Sequence, residues 1–384
     1  MDNRTEIKGQ KELRTEVIEN GLCVNCGACV NLCPYQAAYQ DKLIIIDPCD
    51  RQQGRCYAFC PRTFADLQNL RSIIFPSVEF TPEIGPIRGF YLTRAADPEI
   101  RDHGQHGGTV SALLSLALKA GIIEAAVVTQ ESDTFLPTGA VVRNSLEIKK
   151  AGRSKFVASP NLAAFNQVAK SEIEKIGIVA TPCQTLAIAK MRQKNYFAKA
   201  YHIDKLNLVI GLFCGWALSW RELKELIKKK MPEEKIIGLD IPPSKYQAME
   251  VHTERGIVEI PLEEVLPAVR ASCRYCLDMT AEFSDLSVGS ARLPEGWEIA
   301  RGWNQVIVRT ARGEELLDLA RSRGFLEFRE IPAGNLERLK EAAANKKRAA
   351  LKNIMEKSGS PDNLLYLNNE DPILKEFIET KNME

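Results

Sequence analysis

Long apolar runs are missing from this chain. No stretch approaches the roughly 18–20 apolar residues that cross a bilayer, so a transmembrane segment is not expected. Charge of one sign is missing as well: 51 Lys and Arg stand against 50 Asp and Glu, for a net charge of +1. That balance has no polyanion-binding footprint and argues against nucleic acid as a partner. The opening residues Met1 to Gln10 are polar, with neither a signal peptide nor a transit peptide visible, and a cytoplasmic location is expected. Internal repeats and low-complexity blocks are absent too. What the chain does have is 11 cysteines in 384 residues. Without an export signal, such a set points to metal ligation rather than disulfides.

Seven of those cysteines crowd into the N-terminal stretch. Cys23, Cys26 and Cys29 stand at intervals of three, and Cys33 is followed by Pro34. This is the spacing of bacterial ferredoxins, in which three close thiolates take one [4Fe-4S] cubane and the Cys-Pro carries the chain to its neighbour. A structural zinc site is the plainer alternative, but it has no use for the Cys-Pro ending. Cys49, Cys56 and Cys60-Pro61 imply a second half. Because the fourth cysteine of each half crosses over, the first cluster is assigned Cys23, Cys26, Cys29 and Cys60. The second is assigned Cys33, Cys49 and Cys56. It lacks a fourth thiolate, because Asp50 and Gln53 stand where a regular run would put cysteines. A three-iron cluster, ligation by Asp50 or water, or no cluster at all remain open there, and the three cysteines favour a cluster.

The rest of the chain changes rhythm. Residues 1–20 read as a polar lead-in, 21–65 as the iron–sulfur module, and the Pro- and Gly-containing stretch 66–86 as a linker. Beyond it, short apolar strands alternate with helical patterns: Gly89–Arg94, Ala125–Gln130, Ile176–Ala180 and Leu206–Phe213 as strands, and Thr109–Ala120, Asn161–Lys175, Thr185–Gln193 and Ser219–Lys230 as helices. Tyr246–Thr253 and Gly256–Pro261 read as a hairpin. The expected fold is a small α+β two-cluster ferredoxin-like module followed by a mixed, mostly parallel α/β flavin-binding domain over 87–310. A helical extension over 311–384 follows. Its long helix Asn335–Lys357 either docks a partner or packs by its alanine face.

The other four cysteines sit inside this α/β part. Cys183 and Cys214 each follow a predicted strand, and Cys273 and Cys276 form a C-x-x-C. Neighbouring parallel strands bring their carboxyl ends to one edge of a sheet, so the four thiols suit a third cubane. Two buried small side chains plus a zinc or redox C-x-x-C fit the spacing equally well. The glycine-rich turn Gly104, Gly107, Gly108 and Thr109 opens an apolar helix, a setting for a cofactor pyrophosphate. It is not a G-x-G-x-x-G fingerprint, and an ordinary turn is the plainer reading. Arg153 and Lys155, on either side of Ser154, add cations that suit the same phosphates, with an ordinary solvated turn as the plainer reading. His103 and His106 are candidates to face a flavin or substrate, as are Lys245 and His252 near the hairpin.

Taken in order, Gly107–Leu114, Ser154–Phe156, Ala180–Gln184, Gly211–Cys214, Cys273 and Cys276, Thr280–Gly289 and Gly302–Thr310 resemble the beta-subunit family of coenzyme F420 hydrogenases and dehydrogenases. The resemblance spans roughly residues 85–310. It implies an FAD site including Gly104, Gly107, Gly108, Thr109, Ser154, Lys155 and Thr181. It also implies a core [4Fe-4S] cluster on Cys183, Cys214, Cys273 and Cys276, and a place within a larger redox complex such as a hydrogenase, formate dehydrogenase or F420H2 dehydrogenase. The implied activity is that of a flavin-dependent iron–sulfur oxidoreductase passing electrons between a hydride carrier and one-electron carriers. No protein nucleophile or catalytic base is needed. An iron–sulfur relay adaptor without a substrate site is the rival reading.

Overall fold

The computed structural model describes residues 6–76, 78, 80–131, 136–193, 201–232 and 234–379. The chain begins with a helix over Gln10–Ile18, α-helical and then π-helical. Strands β1 (Gln36–Tyr39) and β2 (Lys42–Ile45) pair antiparallel between the two groups of N-terminal cysteines.

An eight-stranded mixed sheet forms the body of the molecule. Its strands are β5 (Gly89–Ala95), β6 (Ala125–Glu131), β7 (Pro137–Val142), β8 (Ile176–Ala180), β9 (Leu206–Leu212), β13 (Leu286–Ser290), β14 (Asn304–Val308) and β15 (Leu326–Arg329), in the order β15-β5-β14-β13-β9-β8-β6-β7. The central four, β13, β9, β8 and β6, run parallel, and both flanks are antiparallel. Parallel strands are covered on both faces and so carry unbroken apolar runs. All five residues of β8 are buried, as that requires. Helices Thr109–Lys119 and Ala311–Ser322 cover one face, and Asn161–Val168 and Pro182–Gln193 cover the other. Each face thus has its own apolar core.

A smaller antiparallel sheet joins β10 (Ile236–Asp240), β11 (Ala248–Thr253) and β12 (Gly256–Pro261). The hairpin β11–β12 follows the sequence reading; β10, its third strand, was not legible. Neither were the edge strands β7, which pairs with its neighbour β6, and β15, whose partner β5 lies more than two hundred residues away.

The stretch 66–86 is packed rather than free. Helix Leu67–Ile74 buries Leu67, Leu70 and Arg71, and Phe75 and Ile84 are buried beside it. Strands β3 (Phe80–Thr81) and β4 (Gly85–Pro86) pair across a tight turn. Two buried arginines fasten this segment. Arg71 pairs with Glu282 at 2.5 Å and Asp371 at 3.1 Å. Arg309, fully buried, donates to the carbonyls of Ile84 (2.8 Å) and Pro86 (2.9 Å), to Thr280 and to Ser287. The prolines and glycine that read as a linker are turns in a docked strap. The long helix, Asn335–Ser358, buries Leu339, Ala343, Ala344, Ala350 and Ile354 against the same core. Its alanine face therefore packs within the chain.

The N-terminal module is held by the α/β body. Asn166 donates to the carbonyls of Val30 (2.7 Å) and Ala28 (3.2 Å), and the Leu162 N–H reaches Cys26 O at 3.2 Å. Buried Lys190 donates to the carbonyls of Cys60 (2.6 Å), Thr63 and Phe64. Gly27 makes the close approach possible. Its φ is +85°, and a Cβ there would stand 2.6 Å from both Pro160 O and Ala163 N.

Candidate functional site

The eleven cysteines fall into three neighbouring sets. Burial raises the Cys26 thiol, and the thiols of Cys60, Cys183 and Cys23 raise it further. Cys29 is raised by burial and then by Cys26, Cys23, Cys60 and Cys56. These relations bring Cys23, Cys26, Cys29 and Cys60 together, with Cys60 arriving from the second half. Burial also lifts Cys56 to about 11, with Cys33 and Cys49 as its thiol neighbours. In the α/β body, burial lifts Cys183 to about 11, helped by Cys276 and Cys273. Cys214 is raised by burial, against Lys346, with Cys273, Cys183 and Cys276 adding to it. Cys183, Cys214, Cys273 and Cys276 are thus neighbours and form the third set.

Among the described residues, no group of three or more Cys, His, Asp or Glu gathers closely enough to hold a single metal ion. A cubane asks for something looser, because each thiolate takes its own corner iron. The polar surroundings fit sulfur acceptors. Asn25 Nδ2, Arg62 Nε, Arg270 Nε and the Ser272 hydroxyl are buried without a hydrogen-bond partner. Buried donors of this kind normally have one, and these lie beside Cys23 and Cys26, Cys60, and Cys273. Hydrogen bonds to cluster sulfurs are an ordinary feature of iron–sulfur sites. Raised thiols, meanwhile, stay protonated unless a metal takes them as thiolates. The residues fit iron–sulfur clusters at all three positions, the second with three thiolates only.

A cavity of about 310 Å³ opens at the carboxyl edge of the parallel strands. Thr129 ends its wall from β6, Thr181 from β8, Leu212 and Cys214 from β9, and Ser290 from β13. The carboxyl edge is where open α/β sheets take their ligands, and the volume is within the range of small-molecule sites, about 300–1,000 Å³. Gly108, Ser154 and Lys155 line it. Gly108 caps helix Thr109–Lys119 with φ +72°. Lys155 Nζ is 2.9 Å from Gly152 O and 3.4 Å from Glu131.

Three other flavin candidates stand behind this wall. Thr109 is fully buried, its hydroxyl 2.9 Å from that of Thr93, and its N–H is taken by Asn304 at 3.2 Å. Gly107 packs against Asn304 and Arg94, and Gly104 against Gly108 and Ile100, where a Cβ would meet atoms within 3.1 Å. His103 is exposed and bonded to Glu99 O. Lys245 is exposed beside Tyr246, and His252 pairs with Glu250 at 3.0 Å.

One wall of the cavity carries a charged network that the sequence did not reveal. His106 Nε2 lies 3.2 Å from both Asp240 oxygens, and its Nδ1 lies 3.0 Å from the Ser290 hydroxyl. Gln105 donates to Asp240 at 2.8 Å and accepts from the Ser154 N–H at 3.0 Å. Arg301 bridges Asp240 (3.3 Å) and Glu250 (2.8 Å). Burial pushes the Asp240 carboxyl up, but the hydrogen bond and charge of His106, the Ile241 N–H and Arg301 outweigh it. They hold the group below the ordinary carboxylate range. This network ties the small sheet to the glycine-rich turn.

Comparison with known proteins decides the family. Two profiles describe the beta subunit of coenzyme F420 hydrogenase/dehydrogenase: the one for its N-terminal part matches residues 90–166, and the one for its C-terminal part matches 173–333. The coenzyme F420 hydrogenase beta chain of Methanothermobacter thermautotrophicus is 34% identical over 278 residues, 71% of this chain and 95% of that protein. The chain belongs to the coenzyme F420 hydrogenase/dehydrogenase beta-subunit family. A 4Fe-4S binding domain matches residues 16–39. A component of the F(420)H(2) dehydrogenase of Methanosarcina mazei is 27% identical, over 84% of this chain and 88% of that protein. The coenzyme F420-dependent sulfite reductase of Methanocaldococcus jannaschii is also 27% identical, over 82% of this chain but only 48% of that protein. A chain of the F420-reducing [NiFe] hydrogenase complex from Methanosarcina barkeri has a similar structure, with a TM-score of 0.66 and 26% identity. The match covers 72% of this chain and 94% of that chain. Relatives in this family are subunits of redox complexes. Among the described residues no helix is long and apolar enough to cross a membrane.

Proposed function

We propose that this chain is a flavin-dependent iron–sulfur subunit that exchanges hydride with coenzyme F420 or a similar carrier at the 310 Å³ cavity. Electrons pass singly between that cavity and a partner redox subunit by way of the three cysteine sets. One observation carries the reading: Cys214 belongs to the core set of four thiols and also lines the cavity. A cofactor in the cavity therefore touches the wall of the core cluster site.

A bound flavin supplies the conversion between hydride and single-electron chemistry. The protein's part is to bind, orient and shield. Gly108 gives backbone access at a helix start, Lys155 provides a cation for a phosphate, and Ser154 and Thr181 provide hydroxyls. Leu114, Val128, Val179 and Leu212 form apolar walls. His106, held by Asp240 and Ser290, presents an imidazole to the cavity, where a substrate proton is to be held or released.

The test is anaerobic mixing of the flavin- and iron-loaded chain with reduced F420, and separately with reduced nicotinamide nucleotide, while its visible spectrum is followed. Bleaching of both flavin and cluster bands by one hydride donor is the expected result. Bleaching by reduced viologen but by neither hydride donor would leave a relay adaptor and end the proposal.

A further inference from the structure

Arg62 lies between the core cysteine set and the Cys23–Cys60 set. It follows Cys60 by two residues, and its backbone N–H donates to the Cys60 sulfur at 3.4 Å. Its side chain runs to the other set. Nη1 donates to Tyr275 O at 3.1 Å and to the Tyr366 hydroxyl, and Nη2 donates to Ser272 O at 3.2 Å. Ser272 and Tyr275 flank Cys273 and Cys276. The guanidinium also lies 4.7 Å from the centre of the Tyr366 ring.

The residue is buried, and among the described residues its side-chain partners are two carbonyls and a phenol, with no carboxylate. An unpaired buried cation is costly. Nε is unpartnered besides. Its backbone N–H lies on the Cys60 sulfur and its guanidinium on the carbonyls of Ser272 and Tyr275, next to Cys273 and Cys276, so thiolates held by a metal at either set would face this charge. Anionic clusters at both positions are what this guanidinium is built to face.

We propose that Arg62 is an electrostatic bridge that favours the reduced state of both flanking clusters and so raises their two potentials together. The inference rests on the cluster reading of the two cysteine sets. In the step concerned, one electron leaves the core cluster, which is oxidised, and enters the Cys23–Cys60 cluster, which is reduced. No bond changes and no proton moves. A positive charge stabilises the extra electron on either side by Coulomb attraction, strengthened by the low dielectric around it. Arg62 is a positioning and potential-setting residue and takes no part in the hydride chemistry.

The test is an EPR-monitored redox titration of the full chain, purified anaerobically, as parent, Arg62→Gln and Arg62→Lys, each with its iron content measured. Arg62→Gln is expected to lower the reduced-to-oxidised ratio of both clusters about tenfold at a fixed potential, equivalent to about 59 mV for one electron. Arg62→Lys keeps the charge without the planar fork and is expected to shift both clusters less than Arg62→Gln. Unchanged potentials in an iron-loaded Arg62→Gln protein, or a shift of one cluster alone, overturn the proposal. A parent protein that never holds iron overturns the cluster reading instead. Should Arg62→Gln fail to load, pulsed EPR on protein carrying isotopically labelled arginine decides. Guanidinium nitrogen coupling is then expected at the reduced core cluster of the parent, where Arg62 is the arginine beside the thiols, and is expected to vanish there in Arg62→Lys. Coupling that is retained at the core cluster in Arg62→Lys contradicts the bridge.

Discussion

The hydroxyl of Thr181 lies 3.3 Å from the sulfur of Cys183, and the two side chains belong to different sites. Thr181 lines the cavity at the end of β8, while Cys183 stands with Cys273 and Cys276 one turn further on. Gln184 fixes the pair by accepting from the Thr181 N–H at 2.9 Å and donating to Ser159 O at 2.7 Å. A single strand-to-helix junction therefore joins the cavity to the core thiol set.

Replacing Cys183 with serine is expected to remove one cluster, about four irons per chain, and to leave flavin content unchanged. Iron and flavin assays on the same preparation check both halves of that statement. A variant with full iron content would remove Cys183 from the ligand set.

Gly27→Ala is expected to loosen the docked N-terminal module. The alanine would need a φ of +85° and would press on Pro160 O and Ala163 N at 2.6 Å. The strain alone costs about 1–3 kcal/mol, and denaturant unfolding with an iron assay measures it. Asn31, whose φ is also positive, donates to Ala163 O at 2.9 Å and marks the same contact from the other side.

Glu282→Gln is expected to destabilise the strap by about 3–5 kcal/mol, since it leaves Arg71 buried with Asp371 alone. Burial pushes the Glu282 carboxyl up, yet Arg71, Lys347 and Arg309 outweigh it and depress its pKa. With the folded value below the unfolded one, this contribution is full above the ordinary carboxylate range. It is lost as pH falls through the depressed value. Unfolding rates of parent and variant after a rapid pH jump are expected to converge only on the acid side.

Much of this arrangement was legible in the sequence, and the remainder had a physical reason for being hidden. The ferredoxin run from Cys23 to Pro34 is local, so its spacing alone carries its meaning. The apolar strand Ile176–Ala180 is unmistakable because burial on both faces removes alternation. Asp240 was silent: it ends an edge strand and meets His106 across 134 positions, with no periodicity to announce the pair. Arg62 was equally silent, since its partners Ser272 and Tyr275 lie more than two hundred residues away. Helix Leu67–Ile74 was masked by the turn residues after it, although Leu67, Leu70 and Ile74 already sit at helical spacing. Local patterns survive in a single sequence; contacts made by the fold do not.

Lys155→Ala is expected to weaken flavin retention about tenfold, the loss of one charged hydrogen bond. Fluorescence of released flavin on dilution measures it. Thr109→Val, behind the cavity wall, is expected to leave retention unchanged apart from any loss of stability through the Thr93 contact. Equal effects from the two variants would put the phosphate somewhere else.

The most direct measurement of the whole account is the iron, sulfide and flavin content of the anaerobically purified full chain, read with its visible spectrum. About eleven or twelve irons and one flavin per chain are expected, from two cubanes and a three-thiolate cluster that holds three or four irons. About eight irons with no flavin, even after reconstitution, would contradict the account and leave a protein that relays electrons without a hydride site.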